Sequence, residues 1–359
     1  MSAESTLRER LDDPDESVRA FAVEDAGFDA RAEDVPVLAG RLGLEGSRFV
    51  REAIVAALAR MRHAAVIDQA IAMLASEDAF VRNAGVELLQ AAGTGAVGRI
   101  EEAFGSAGAD VRKLLLDAAS GMAGREAEDA LVLGLDDPDI NVRIAAVEYL
   151  ADRARPELKP RFEAIVRAER EPMLLAAALT ALEAVGDAAS WAVIEERSQS
   201  PDGLPSFLQP QVLRVMAKCG VESCLDRLFA EHPRIKPGTL ADWIDALEIF
   251  HERHAFRALT SPKFEIICGL LGSAPSSMCR FRLLKWMGKL DQQPGLLDEL
   301  TKNLESPDTL VRHGAALGLA IMGTGDAVEA LSRRLPAERD GEVRSVIQES
   351  VASATGGRP

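Results

Sequence analysis

Apolar residues recur along this chain in a single helical phase. Taking Val18, Val50, Val81, Val111, Val142 and Val311 as position 0, small or apolar side chains fill +4, +5 and +8. The sets are Ala22/Val23/Ala26, Ile54/Val55/Leu58, Gly85/Val86/Leu89, Leu115/Leu116/Ala119, Ala146/Val147/Leu150 and Ala315/Ala316/Leu319. Positions 0, 4 and 8 with neighbours one residue off lie on one face of an α-helix. A second apolar run follows, as in Val35/Val37/Leu38/Leu42, Val66/Ile67/Ile71/Leu74 and Val328/Leu331/Leu335. The pattern predicts a unit of helix A, a short turn, helix B and a loop into the next helix A.

The units repeat. Position +1 is arginine at Arg19, Arg51, Arg82, Arg112, Arg143, Arg312 and Arg344, and the first five stand 32, 31, 30 and 31 residues apart. A fixed period of this size marks stacked supersecondary units. Weaker copies at Leu174, Leu208, Thr239 and Cys279 keep the apolar phase, the last with Arg280 at +1. Residues up to about 10 supply a lone helix B (Leu7, Leu11), and Val343 opens a lone helix A, so both ends read as half-unit caps. Acidic turns precede many helices A (Asp13-Pro14-Asp15, Glu77-Asp78, Asp137-Pro138-Asp139, Ser306-Pro307-Asp308), where a carboxylate accepts from orphan N–H groups. Glycine is expected to close several of them near +12, as at Gly93, Gly186, Gly220 and Gly323.

The run Asp137-Pro138-Asp139, Val142-Arg143, Ala145-Ala146 and Leu150 resembles the short HEAT-like repeats of the phycobilisome-lyase type. The resemblance covers nearly the whole chain. It implies an all-α, right-handed α-solenoid of about ten helix pairs, with helices A on the convex side and helices B on the concave side. Members of that family mostly bind other proteins. Minorities attach bilins, excise alkylated bases or hydroxylate a modified lysine.

Composition suits thin helical layers: hydrophobic content is 47% and aromatic content 4%. The formal charge of -16 repels phosphate backbones, so nucleic acid is disfavoured as a partner. No apolar stretch approaches the length of a membrane span, Met1 to Arg10 carries no signal-peptide pattern, and the four cysteines do not form a disulfide framework. The expectation is a cytoplasmic protein forming one solenoid over 1–359, regular to 170, irregular over 171–290 and regular again over 291–359.

Candidate chemistry is sparse. His251-Glu252-Arg253-His254 lacks the spacing of a zinc site, His63, His232 and His313 are scattered, and the Gly93-Thr94-Gly95 and Gly323-Thr324-Gly325 runs are inter-helix turns. No catalytic residue, metal or cofactor is assigned. The arginines at +1 are read as structural, each pairing with acidic loops so as to fix the stacking register. The leading functional reading is a non-enzymatic scaffold or adaptor. A bilin lyase or phycobiliprotein maturation factor is the alternative, and an alkylbase glycosylase, kept open by Trp191, Trp243 and Trp286, comes third.

One block stands apart. The ladder step swells to 40 between Thr239 and Cys279, placing roughly Glu252 to Thr260 between helix A and helix B. Nine of the sixteen aromatics lie between Trp191 and Trp286, and from Lys218 to Leu290 eleven basic residues, Arg234 and Lys236 among them, oppose eight acids. Aromatic and arginine clusters are the usual interface anchors. Arg253, His254, Phe256, Arg257, Lys263, Arg282 and Trp286 are therefore the expected partner-binding residues, for an acidic or amphipathic protein segment.

Overall fold

The computed structural model describes residues 3–200, 203–231 and 237–354; His232, Arg234 and Lys236 lie outside them. No strand occurs among the described residues. The chain divides into two compact units at Val185/Gly186, inside the stretch expected to be irregular.

The first unit alternates helices B and A from its start. It holds α1 (Ala3–Leu11), α2 (Glu16–Asp29), α3 (Val35–Leu42), α4 (Arg48–Met61), α5 (Ala64–Met73), α6 (Ala79–Ala92), α7 (Val97–Phe104), α8 (Ala109–Ser120), α9 (Arg125–Val132), α10 (Ile140–Ala151), α11 (Lys159–Ala168) and α12 (Pro172–Val185). The second holds α13 (Ala188–Gln199), α14 (Gln209–Cys219), α15 (Cys224–Glu231), α16 (Leu240–His254), α17 (Ser261–Ser273), α18 (Ser277–Met287), α19 (Leu296–Leu304), α20 (Thr309–Met322), α21 (Gly325–Arg334) and α22 (Gly341–Ala354). Even-numbered helices are helices A. Most start two residues before their ladder position, whereas Leu208 and Thr239 fall in short 3-10 turns just ahead of α14 and α16.

The acidic turns act as caps. Asp15, Asp78 and Asp139 accept the backbone N–H groups of Ser17, Phe80 and Asn141 at 2.8 Å, and Asp308 accepts that of Leu310 at 3.0 Å. Each satisfies an orphan donor and places negative charge at a positive helix end, contributing about 1 kcal/mol. Helix closure differs from the glycine expectation. The left-handed residue at +12 is Ala30, Arg62 and Ala154 as well as Gly93 and Gly323, while Gly220 is extended with φ -64°. The turn geometry thus recurs even where glycine does not.

Ladder positions +4 and +8 are buried in α2, α4, α6, α8, α10 and α20, and position 0 is buried at Val50, Val81, Val142 and Val311 but only half-buried at Val18 and Val111. Helices A also meet one another directly. A Cβ on Gly318 of α20 would stand 2.5 Å from the Leu284 carbonyl oxygen of α18, and one on Gly314 would stand 2.7 Å from that of Phe281. Removing the side chain lets the two backbones approach. The same register recurs where Gly27 of α2 faces Ala57 of α4.

The arginines at +1 tie each helix A to two loops. Arg112 gives Nη1 to the Ala107 carbonyl behind it, and gives Nε and Nη2 to Asp137 ahead of it at 2.6 and 2.7 Å. Arg19 does the same to Asp13 and Pro14 behind and Glu45 ahead, and Arg312 to Ser306 and Pro307 behind and Glu338 ahead. Arg51 pairs with Asp78, and Arg143 reaches Glu169 at 3.9 Å. Arg82 and Arg344 bind the carbonyls behind them. At Arg280, as at Arg143, Nε is buried with no hydrogen-bond partner, and Asp308 ahead of Arg280 is held by the Ser277 hydroxyl.

Candidate partner-binding surface

The irregular block builds its extra length into helices. Helix α16 continues through Glu252, Arg253 and His254 and closes at Ala255 (φ 47°), whose N–H donates to the His251 carbonyl at 2.7 Å. Glu252 to His254 are therefore the last turn of a helix A and not part of a free insertion. The connection that remains is 255–260.

That turn and loop are engaged in stacking. Arg253 Nη1 donates to the carbonyls of Ala217 and Gly220 at 2.9 and 3.0 Å, and His254 Nε2 lies 3.3 Å from the Gly220 oxygen. A cation there satisfies carbonyls left open at the end of α14. Phe256 packs edge-on against His251 and Trp286, with centroids at 4.5 and 6.3 Å. Arg257 pairs with Asp291, its carbonyl accepts the Gln292 N–H at 3.2 Å, and the Leu259 N–H donates to Gln293 Oε1 at 2.6 Å. The loop is thus sewn to the segment after α18.

The other expected anchors are also occupied. Lys263 pairs with Asp226 at 2.5 Å, and Arg282 pairs with Glu248 at 2.6 Å and with Asp245. Trp286 is only 2% exposed, a correction to its expected place on a binding surface: its ring fills the A-helix core. Trp243 is likewise interior, its indole N–H donating to the Leu228 carbonyl at 2.9 Å. Of the basic residues in this block, Arg227, Arg257, Lys263, Arg282 and Lys289 are thus paired with carboxylates.

An open surface lies earlier in the block. A cleft of about 560 Å³ runs between α13, α14 and α15, lined by Trp191, Leu204, Pro205, Phe207, Met216 and Arg227 among others. Its shape follows from local sequence. Pro205 and Pro210 flank a 3-10 turn at Ser206–Leu208, Pro210 sits in the first turn of α14 where no N–H is required, and Phe207 is left 59% exposed. Arg227 lies over the Trp191 ring at 5.5 Å and is held by Glu195 at 2.7 Å. Burial pushes the Cys224 thiol above its ordinary range, as befits an inert packing residue. The aromatic count pointed to Trp191 and Phe207. The proline spacing that opens the cleft was the signal left unread.

No helix of the described residues is long and apolar enough to cross a membrane. No curated protein sequence matches the chain. Among solved structures it is similar to Kap95 in a Kap95:Nup1 complex, 14% identical over 99% of this chain and 56% of that one, with a TM-score of 0.59. Importin beta is 13% identical over 100% of this chain and 56% of the other, TM-score 0.56. Kap121p bound to RanGTP is 15% identical over 98% and 45%, TM-score 0.55. The chain spans about half the length of these proteins, and the likeness concerns the all-α solenoid fold. The profile of HEAT repeats matches residues 4–90, 99–204 and 267–352, well over half of the sequence. With its helix pairs, period and ladder of loop-tying arginines, the chain belongs to the HEAT-repeat family.

Proposed function

We propose that the protein is a non-catalytic scaffold that holds a segment of another protein in the cleft between α13, α14 and α15. The observation that carries this reading is Phe207, 59% exposed beside a cleft that also reaches Trp191. Large exposed aromatics over a partly formed pocket are the usual anchors of protein interfaces. The pairing of Arg253, Arg257, Lys263 and Arg282 within the stack favours the cleft over that basic block. Similar folds in Kap95 and Kap121p were solved with Nup1 and with RanGTP, so the architecture is one that accommodates protein partners.

The test is site-specific photo-crosslinking. A photoreactive phenylalanine at Phe207 should capture a discrete partner in cells, and Phe207→Ser should abolish that complex while leaving the melting curve unchanged. Equal capture from a control position at Glu87 of α6 would defeat the reading.

A further inference from the structure

The loop ahead of a helix A follows a recurring plan. Five residues before the ladder position stands a side chain that receives the +1 arginine of the helix A behind it: Glu45 from Arg19, Asp137 from Arg112, Glu169 from Arg143 and Glu338 from Arg312. The side chains of Glu45, Asp137 and Glu338 also accept the backbone N–H two residues on, from Ser47 at 2.8 Å, Asp139 at 2.8 Å and Asp340 at 3.0 Å. Negative charge at this place tolerates an acid two residues later, as Asp137 does Asp139 and Glu338 does Asp340.

Ser306 fills the same place ahead of α20. Its Oγ accepts the Asp308 N–H at 3.2 Å, and its carbonyl accepts Arg312 Nη1 at 3.0 Å just as the Glu338 carbonyl accepts Arg344 Nη1. The loop plan is kept and only the charge is missing. The arginine one helix A behind is Arg280, which among the described residues is the one ladder arginine whose side chain makes neither a hydrogen bond nor an ion pair; its Nε is buried. Asp308 is spent on the Ser277 hydroxyl. Serine holds this place twice more without leaving an arginine in want. Arg51, behind Ser76, is held by Asp78; Arg82, behind Ser106, is held by the Ser76 and Glu77 carbonyls, and Ser106 gives its own hydroxyl to the Ala103 carbonyl at 3.4 Å.

We propose that Ser306 is a phosphorylation site whose phosphate takes the place of the missing carboxylate on Arg280 and closes the joint between α18 and α20. A phosphoserine carries its oxygens as many bonds beyond Cβ as a glutamate does, so it spans what Glu45 and Glu338 span. At about -2 it meets the guanidinium with charge-assisted hydrogen bonds and stands at the positive end of α20. The turn is accessible: Glu305 and Pro307 on either side are exposed, and the Ser306 hydroxyl hydrogen has no acceptor among the described residues. In the modification a protein kinase transfers the γ-phosphoryl group of ATP. The Oγ–P bond forms as the bond to the departing ADP breaks, and the hydroxyl proton goes to the kinase's carboxylate base. The site stands independently of the α13–α15 cleft.

The test places phosphoserine at 306 of the full chain by genetic code expansion. Protection factors of the α18 and α20 amides should rise at least about fivefold over the unmodified protein, and the second phosphate pKa, read by phosphorus NMR, should fall below its ordinary value of about 6. Arg280→Gln should remove both effects while leaving the melting of the unmodified protein unchanged, because Arg280 makes no bond there to lose. Phosphoserine at 76, where Asp78 already holds Arg51, should give no gain in protection. Occupancy is read by phosphopeptide mapping of the protein from its natural source, and of the purified protein after treatment with ATP and a proline-directed serine kinase; Ser306 should carry phosphate. No gain in protection, or a gain that survives Arg280→Gln, would overturn the contact. Absence of phosphate from Ser306 in both preparations would overturn the modification.

Discussion

Arg312 grips Glu338 with both edges of its guanidinium, Nε to Oε2 at 2.9 Å and Nη2 to Oε1 at 3.0 Å. Arg334 adds a second hold on Oε2 at 3.1 Å, and the Asp340 N–H donates to Oε1 at 3.0 Å. In the first unit Arg19, Arg41 and the Ser47 N–H surround Glu45 in the same way. Outer partners match as well, Arg41 reaching Asp12 and Arg334 reaching Glu305. One clamp, built twice, ties a helix A, the helix B after it and the next loop together.

The clamps fix the behaviour in acid. Burial alone would raise the Glu45 and Glu338 carboxyls, but the arginine and amide donors outweigh it and hold both at about 2, below the ordinary 4.5. A carboxyl lowered in the fold contributes stability that is present above pH 4.5 and is lost as pH falls from there towards 2. Discounted for screening by solvent, each site contributes about 1 kcal/mol. The protection factors of the amides in α4 and α22, taken relative to the intrinsic exchange rate at each pH, should therefore fall between pH 5 and 3, and Glu45→Gln with Glu338→Gln should flatten that dependence. An unchanged acid limb in the double variant would remove the clamps from the account.

Glycine enters by a different route. Ala30 and Ala154 close helices in the left-handed region with φ 52° and 47°. A Cβ there costs about 1 to 2 kcal/mol, which glycine relieves while raising the entropy of the unfolded chain. Ala30→Gly and Ala154→Gly should each stabilise by roughly 0.5 kcal/mol. Measured destabilisation by either would show that the turn holds no such strain.

The close crossing of α18 and α20 makes the opposite demand. Gly318→Val would drive its side chain into the Leu284 carbonyl and cost on the order of 3 kcal/mol, whereas Gly325→Ala, with nothing within 4 Å, should be silent. Because each repeat leans on its neighbours, the loss should appear first as increased exchange in α18 to α22. Equal effects from the two substitutions would mean that the crossing is looser than its geometry.

Helix phase was legible because one face of every helix A must be buried, so Val50, Ile54 and Leu58 announce themselves by spacing. The arginines were legible because they recur at a fixed step and many follow an acidic turn. What spacing does not carry is the choice between helix and loop where extra residues enter. Glu252 to His254 extend α16 because Arg253 caps the end of α14, a partner 33 and 36 residues away. Nor does composition distinguish a basic residue facing solvent from one already paired, as Arg282 is with Glu248. The open aromatic Phe207 became visible only once exposure could be read.

His251 supplies the last expectation. It is buried on α16 with Nδ1 lacking a hydrogen-bond partner, enclosed by Phe256 at 4.5 Å and Trp286 at 5.7 Å. Burial first, and then the charge of Lys289, lower its pKa from the ordinary 6.5, against a weaker opposing pull from Glu252. A histidine lowered in the fold is neutral there while the unfolded chain takes up a proton, so its contribution is present above pH 6.5 and declines as pH falls below it. Between pH 7.5 and 5.5 the amides of 251–259 and of α18 should lose protection while those of α4 do not. His251→Phe keeps the aromatic contacts and removes the titration, so it should flatten this local response and leave the acid limb of the glutamate clamps intact. If the variant and the natural sequence lose protection at the same pH, another group is responsible and His251 is only a packing residue.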